Sequence, residues 1–179
     1  MKKFLRVILG LVIILPILFF ALRSWTKTKS PEAVAKSDQN GVSVQVNYCQ
    51  PSKKGRTIFA PKAEGVLQPY GEVWRTGANE ATNFEVKQDV KVAGKDLKAG
   101  KYTLWTIPNA STWTIILNSE TGQWGTNYDA KTDVLRVDVP ASKTADVVEM
   151  FKIDFAPNPA GTDMVLRWDN VEVKVPITK

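Results

Sequence analysis

Histidine is absent from all 179 residues. Its absence excludes Ser-His-Asp and Cys-His nucleophilic machinery, histidine-ligated zinc and histidine-ligated haem. Cysteine occurs once, as Cys49, so neither an intramolecular disulfide nor a cysteine-rich metal site can form. Cys49 ends an alternating stretch, where a buried, inert thiol is expected; intermolecular chemistry is the other reading. No metal and no cofactor is expected. Asn127-Tyr128-Asp129 followed by Asp133 has the look of a calcium loop. An EF-hand needs an acceptor at the fifth position and glycine at the sixth, where this chain has Lys131 and Thr132.

Acidic residues are missing from residues 1–30, which carry Lys2, Lys3, Arg6, Arg23, Lys27 and Lys29. These six account for the whole formal charge of +6, since the other 18 basic residues meet 18 acids. A neutral remainder lacks the basic face that phosphate neutralisation demands, so no nucleic-acid partner is expected.

Val7–Leu22 is an apolar run of sixteen residues between Arg6 and Arg23. With Phe4 and Leu5 added, it is expected to form a helix over about Leu5–Leu22 that enters a membrane, its arginines snorkelling and Trp25 at the interface. The helix is apolar all round, so no substantial packing against the rest of the chain is expected. An uncleaved signal anchor is the favoured reading of residues 1–23, giving a single-pass cell-membrane protein with its domain outside the cytoplasm. A cleaved signal peptide, releasing a secreted or periplasmic chain, is the alternative. The Ala33-Val34-Ala35 pattern lies eleven residues past Leu22, too far for the usual cleavage region. Residues 24–41 are polar, carry one proline and end in Asn-Gly, and are expected to be a linker.

From Val42 to Lys179 the period is two. Val42, Val44, Val46 and Tyr48 alternate with polar neighbours, as do Leu135, Val137 and Val139, and Val171, Val173, Val175 and Ile177. Val147, Phe151, Ile153 and Phe155 are expected on one face. Turn signals such as Ala93-Gly94, Thr121-Gly122 and Pro157–Gly161 separate these runs. The pattern predicts an all-β domain over residues 42–179, an antiparallel β-sandwich or barrel-like fold following an N-terminal hydrophobic helix. Lys101–Pro108 and Trp113–Asn118 are apolar on both faces. They read either as a central hairpin covered on both sides or as a platform with Trp105 lining a ligand surface.

Tyr70–Thr82 (YGEVWRTGANEAT) concentrates Trp74, Arg75, Asn79 and Glu80. A guanidinium fork grips a carboxylate or phosphate at two points, so Arg75 is a candidate anchor for an anion or sugar hydroxyl, with Asn79 and Glu80 completing a polar pocket. The alternative is structural: Arg75 pairs with Glu80 across the Thr76-Gly77-Ala78 turn while Asn79 bonds nearby backbone. Lys54 and Arg56 sit in a basic glycine-containing loop, which faces an anion or is simply a solvated turn.

Several of these stretches together resemble a known family. Tyr48-x-x-Pro51-Ser52-x-Lys54-Gly55-Arg56, Pro69–Thr82 with its Trp74-Arg75-Thr76-Gly77-Ala78-Asn79-Glu80-Ala81-Thr82 run, Gly100-x-Tyr102-x-Leu104, Trp124-Gly125 and Tyr128-Asp129 carry the likeness. Over about Val42–Ile177 the chain is similar to the domain-of-unknown-function family 2911, whose members are exported bacterial proteins. The resemblance implies no activity, substrate or catalytic residue. Gln50 stands where the family's usual arginine precedes Pro51, which weakens an anion site on that loop, and the segment between Phe59 and Pro69 is longer than typical.

Three functional readings follow. The first is a binding module for a small polar or carbohydrate ligand in the cell envelope, using Trp74, Arg75, Asn79, Glu80, Lys54, Arg56 and Trp105. The second is a hydrolase pairing Glu80 with Glu72 or Asp129, since acid/base work does not require histidine. The third is a structural envelope protein with no ligand.

Overall fold

The computed structural model describes the backbone of residues 2–179 and the side chains of Phe4 and residues 9–179. Met1, and the side chains of Leu5 and Arg6 invoked for the anchor, lie outside the described residues. Helix α1 runs Lys2–Lys29, longer than the expected Leu5–Leu22. Its extension past Arg23 has local causes. Thr26 and Thr28 hydroxyls donate to the carbonyls of Arg23 (2.8 Å) and Trp25 (2.7 Å), and Lys27 and Lys29 suit the negative end of the helix dipole. Pro31 ends it, because the residue before a proline is pushed out of the helical region. Within Leu9–Lys29 an 18-residue window has a mean hydropathy of 2.0 and none of it is buried, so this helix is long and apolar enough to cross a membrane.

Residues 24–41 are not a linker. After Ser30-Pro31 the chain enters β1 (Glu32–Gln39), which pairs antiparallel with β2 (Val42–Cys49) from Glu32↔Cys49 to Gln39↔Val42. Asn40 and Gly41 join them with φ of 50° and 73°, the two positive angles of a tight hairpin turn. The strand carries small and polar groups, Ala35 and Ser37, on its buried face. Its alternation is therefore real but scarcely hydrophobic, and the β-domain begins at Glu32 rather than Val42.

The remaining strands are β3 (Thr57–Ala60), β4 (Val66–Pro69), β5 (Thr82–Val86), β6 (Val90–Val92), β7 (Lys95–Leu97), β8 (Gly100–Ile107), β9 (Thr112–Asn118), β10 (Asp133–Asn158) and β11 (Gly161–Thr178). Nine of the eleven strands form one antiparallel sheet in the order β1-β2-β5-β8-β9-β10-β11-β6-β7. The long β10 turns this sheet into a sandwich. Its first part, Asp133–Pro140, pairs with β9, and the rest pairs with β11, with breaks in register around Val148. Bonds across the gap close the two layers: the Tyr48 hydroxyl accepts from the Ile153 amide at 2.8 Å, and the Ser37 and Thr162 hydroxyls meet at 3.1 Å. Strands β3 and β4 form a separate parallel pair.

Val44, Val46, Phe151, Ile153, Val173 and Val175 are all buried, as the alternation predicts. Val147 is a correction: it is 60% exposed, because the irregular pairing on either side of Val148 takes it off the core face. The centre is aromatic. Trp74 stacks on Trp168 (5.5 Å between centroids) and meets Phe151 edge-on, while Phe59 touches Trp74, Trp113 and Trp168.

Candidate functional site

The loop that carries the WRTGANEAT run begins as a bridge to the sheet. Trp74 exchanges backbone bonds with Thr106 of β8 (2.7 and 2.9 Å), which drives its indole into the core at 2% exposure. The indole N–H donates to Gly77 O, and Thr82 Oγ1 donates to Thr76 O at 2.8 Å, so the turn satisfies its own polar groups. A Cβ at Gly77 would lie 3.0 Å from Cys49 O, backbone that cannot move aside. Trp74 is therefore a core residue and presents nothing to a ligand.

Arg75 and Glu80 do not pair. Arg75 donates through Nη1 to Asn79 O at 3.2 Å, and burial pulls its guanidinium below the usual arginine range. Its side chain lies along Gly125, where an added Cβ would sit 2.7 Å from Asn79 O and 2.9 Å from Arg75 Nε. Asn79, at φ 62°, uses its main-chain oxygen rather than its side chain. That oxygen accepts from Gly125 N at 3.0 Å, while Nδ2 is buried with no partner among the described residues. Glu80 points instead toward α1. Its Oε1 accepts from Arg23 Nε at 2.8 Å and lies 3.7 Å from Lys27 Nζ, and Lys27 also binds Glu32 at the start of β1.

The result is an alternating chain of charges, Glu32–Lys27–Glu80–Arg23, drawn from the end of α1, the start of β1 and the loop before β5. It borders a cavity of about 290 Å³ that is also lined by Asn47 and Cys49 of β2 and by Asn83 of β5. Glu80 is 25% and Arg23 42% exposed at the side chain, so the charges remain open to water. The Cys49 sulfur lies 3.9 Å from Glu80 Oε2. Burial pushes its thiol up and the Glu80 and Glu32 charges add to the rise, against the nearby Asn79 side chain and Lys27, which pull it down. Such a thiol stays protonated near neutrality and makes a poor nucleophile.

The other candidates lie elsewhere. Trp105 is 2% exposed; its indole donates to Thr103 Oγ1 and its ring is tilted on Tyr128 at 4.9 Å, covering the second face of the central hairpin. Lys54 is exposed at a positive φ, and its backbone amide donates to Glu149. Arg56 spends its guanidinium on the carbonyls of Lys53 and Ser52, closing its own loop. Gln50, just after β2, reaches β10 by donating to Phe151 O at 3.1 Å. Of the carboxylates named for hydrolysis, Glu72 pairs with Lys62 and Asp129 caps the short 3-10 turn Ala130–Thr132; neither lines the Glu80 cavity. The oxygens of Asp133 are engaged by Asn118, Tyr128 and Arg136.

Sequence reasoning therefore found Glu80 but not its partners. A signal for them exists: Arg23 and Lys27 are spaced i, i+4 on one helix face, and Glu32 is the first acid in the chain. A family model described as "Protein of unknown function (DUF2911)" matches residues 30–177, twelve residues further toward the N-terminus than Val42 and thus including β1. No curated protein and no solved structure matches the chain.

Proposed function

The chain belongs to the DUF2911 family of proteins of unknown function, and from that premise we propose that it is a membrane-anchored binding module for a small polar molecule of mixed charge. The observation that carries this reading is the cavity between α1, β1, β2 and β5, where Arg23, Glu32 and Glu80 meet the side-chain amides of Asn47 and Asn83. At about 290 Å³ it lies at the small end of ligand sites, which run from roughly 300 to 1,000 Å³. A zwitterion or an amine-bearing polyol suits it. An anionic group takes Glu80's place on Arg23, and a cationic group takes Lys27's place beside Glu32 and Glu80. A stacked sugar suits it less, because Trp74, Trp105, Trp113 and Trp168 are all fully buried. The exposure of Glu80 and Arg23 favours this reading over a purely structural role.

The site needs α1 in place, since Arg23 comes from the helix. That supports a retained anchor, with the domain held at the outer face of the cell membrane. Full-length protein in detergent, screened by thermal shift against amino acids, betaines, amino sugars and polyols, tests the proposal. A ligand at about 100 times its Kd stabilises the fold by about 2.7 kcal/mol. Glu80→Gln is expected to abolish that shift. A ligand that shifts Glu80→Gln as much as the native chain, or a panel that shifts neither, sinks the reading.

A further inference from the structure

We propose that the Trp124 loop is a second membrane contact, seating the β-domain on the phospholipid surface of the bilayer that α1 enters. This rests on the anchor reading above. The loop after β9 carries Trp124 out to 37% exposure, although it is not loosely held. Ala81 N donates to Gln123 O, Gly125 N donates to Asn79 O at 3.0 Å, and Glu80 bridges to Trp124. Its backbone is thus pinned to the segment whose Glu80 grips Arg23, so the loop and the helix end form one unit.

Between them lies an apolar wedge of about 200 Å³ lined by Phe19, Leu22, Arg23, Thr26 and Trp124. The helix residues fall at i, i+3, i+4 and i+7, a single face turned toward Trp124. Phe19 and Leu22 belong to the apolar run and are 58% and 57% exposed; Arg23 and Thr26 begin the polar end. Trp124 therefore sits at the height where the helix changes from apolar to polar. In water this wedge is exposed apolar surface on every side. In a bilayer it continues the lipid-facing surface of α1, and tryptophan favours that level because its ring is apolar while its N–H stays wet.

Charge agrees with the same occupant. Arg23 holds Glu80 through Nε alone, and Lys29 lies 5.8 Å from the Trp25 ring, giving cations at headgroup height. Trp25 projects about 110° around the helix from the middle of that face, so the two exposed tryptophans meet the helix end on different sides. An upper acyl segment fills the wedge and the phosphates meet the cations. The mouth of the Glu80 cavity, which shares Arg23 with the wedge, then opens beside the headgroups.

Full-length protein in vesicles of phosphatidylcholine and phosphatidylglycerol, with bromine on the acyl chains near the headgroup, tests this through tryptophan quenching. The other four tryptophans are buried in the domain. Trp25→Phe and Trp124→Phe should each keep roughly half of the native quenching, since two interfacial rings share it, and the double variant should show none. Trp25→Phe leaves the domain untouched, so its result stands even if Trp124→Phe folds poorly. If Trp25→Phe alone removes all quenching, Trp124 is in water and the proposal falls while the anchor survives. Quenching absent from the native chain overturns the anchor and the contact together. Quenching that persists in the double variant, or is undiminished in Trp124→Phe, also overturns it.

Discussion

Cys49 closes β2 with 4% of its surface exposed and Glu80 Oε2 3.9 Å from its sulfur. Burial raises its pKa above that of a free thiol, with Glu80 and Glu32 adding to the rise. In the unfolded chain the thiol ionises at about 8.5. A group whose folded pKa is raised contributes its stability in full below the unfolded value and loses it as pH climbs through the folded one. The native protein should therefore weaken from about pH 8.5 upward, and Cys49→Ala should remove that first decline. Tyr48, also pushed up by burial, leaves a later decline starting near pH 10 in both proteins. Urea melts of native and Cys49→Ala protein between pH 7 and 10.5 check this. Parallel curves across that span would mean that the thiol titrates as freely as in the unfolded chain. The same geometry makes Glu80→Gln, which removes a neighbouring negative charge, speed alkylation of Cys49 at pH 8.

Among the elements, β10 bears the most on the fold, because one strand serves both layers and its Phe151 fills the junction. That ring is 0% exposed, edge-on to Trp74 and Tyr48. Phe151→Ala is expected to cost about 3–5 kcal/mol in a denaturant melt, and a loss under about 1 kcal/mol would contradict the packing described. Strands whose buried face is aliphatic were legible in the sequence: the alternations at Val42–Tyr48, Leu135–Val139 and Val171–Ile177 gave both the strands and their inner faces. Strand β1 was not, because Ala35 and Ser37 fill its inward positions, although Asn40-Gly41 was a hairpin signal waiting between two alternations. Val147 was misplaced because a bulge shifts the face without altering the local pattern. The site divided the same way. Glu80 stood out, but its partner Arg23 is 57 residues away, and no local spacing reveals a contact made by topology. The five-residue proximity of Arg75 and Glu80 misled, since positive φ at Thr76 and Asn79 turns the loop so that one side chain lies along Gly125 and the other faces the helix.

At the scale of the whole molecule, β1 joins α1 to the sheet and is also the sheet's edge, which makes the fate of the N-terminal segment a question about folding. Cleavage after Ala35 removes Glu32–Ala35, four of the eight residues paired with β2, including the buried Ala35. It strips the cover from Val46–Cys49 and leaves a fresh row of unpaired amides and carbonyls on an apolar strand, the arrangement that recruits other chains. Each lost backbone bond is worth about 0.5–1.5 kcal/mol. A chain starting at Lys36 should then be about 2–4 kcal/mol less stable than one starting at Ser30, or roughly 5–15 °C lower in Tm for a domain of this size. It should also elute as oligomers where the longer chain elutes as a monomer. The chain starting at Ser30 keeps all of β1 but lacks Arg23 and Lys27, so it should fold while losing the charged wall around Glu80. Thermal melts and size-exclusion chromatography of the two chains decide the matter. Equal melting and equal elution would show that the first half of β1 is dispensable, and would restore Ala33-Val34-Ala35 as a workable cleavage site. A penalty confined to the shorter chain means that the whole of β1 belongs to the folded domain, so that a cut after Ala35 damages the sheet.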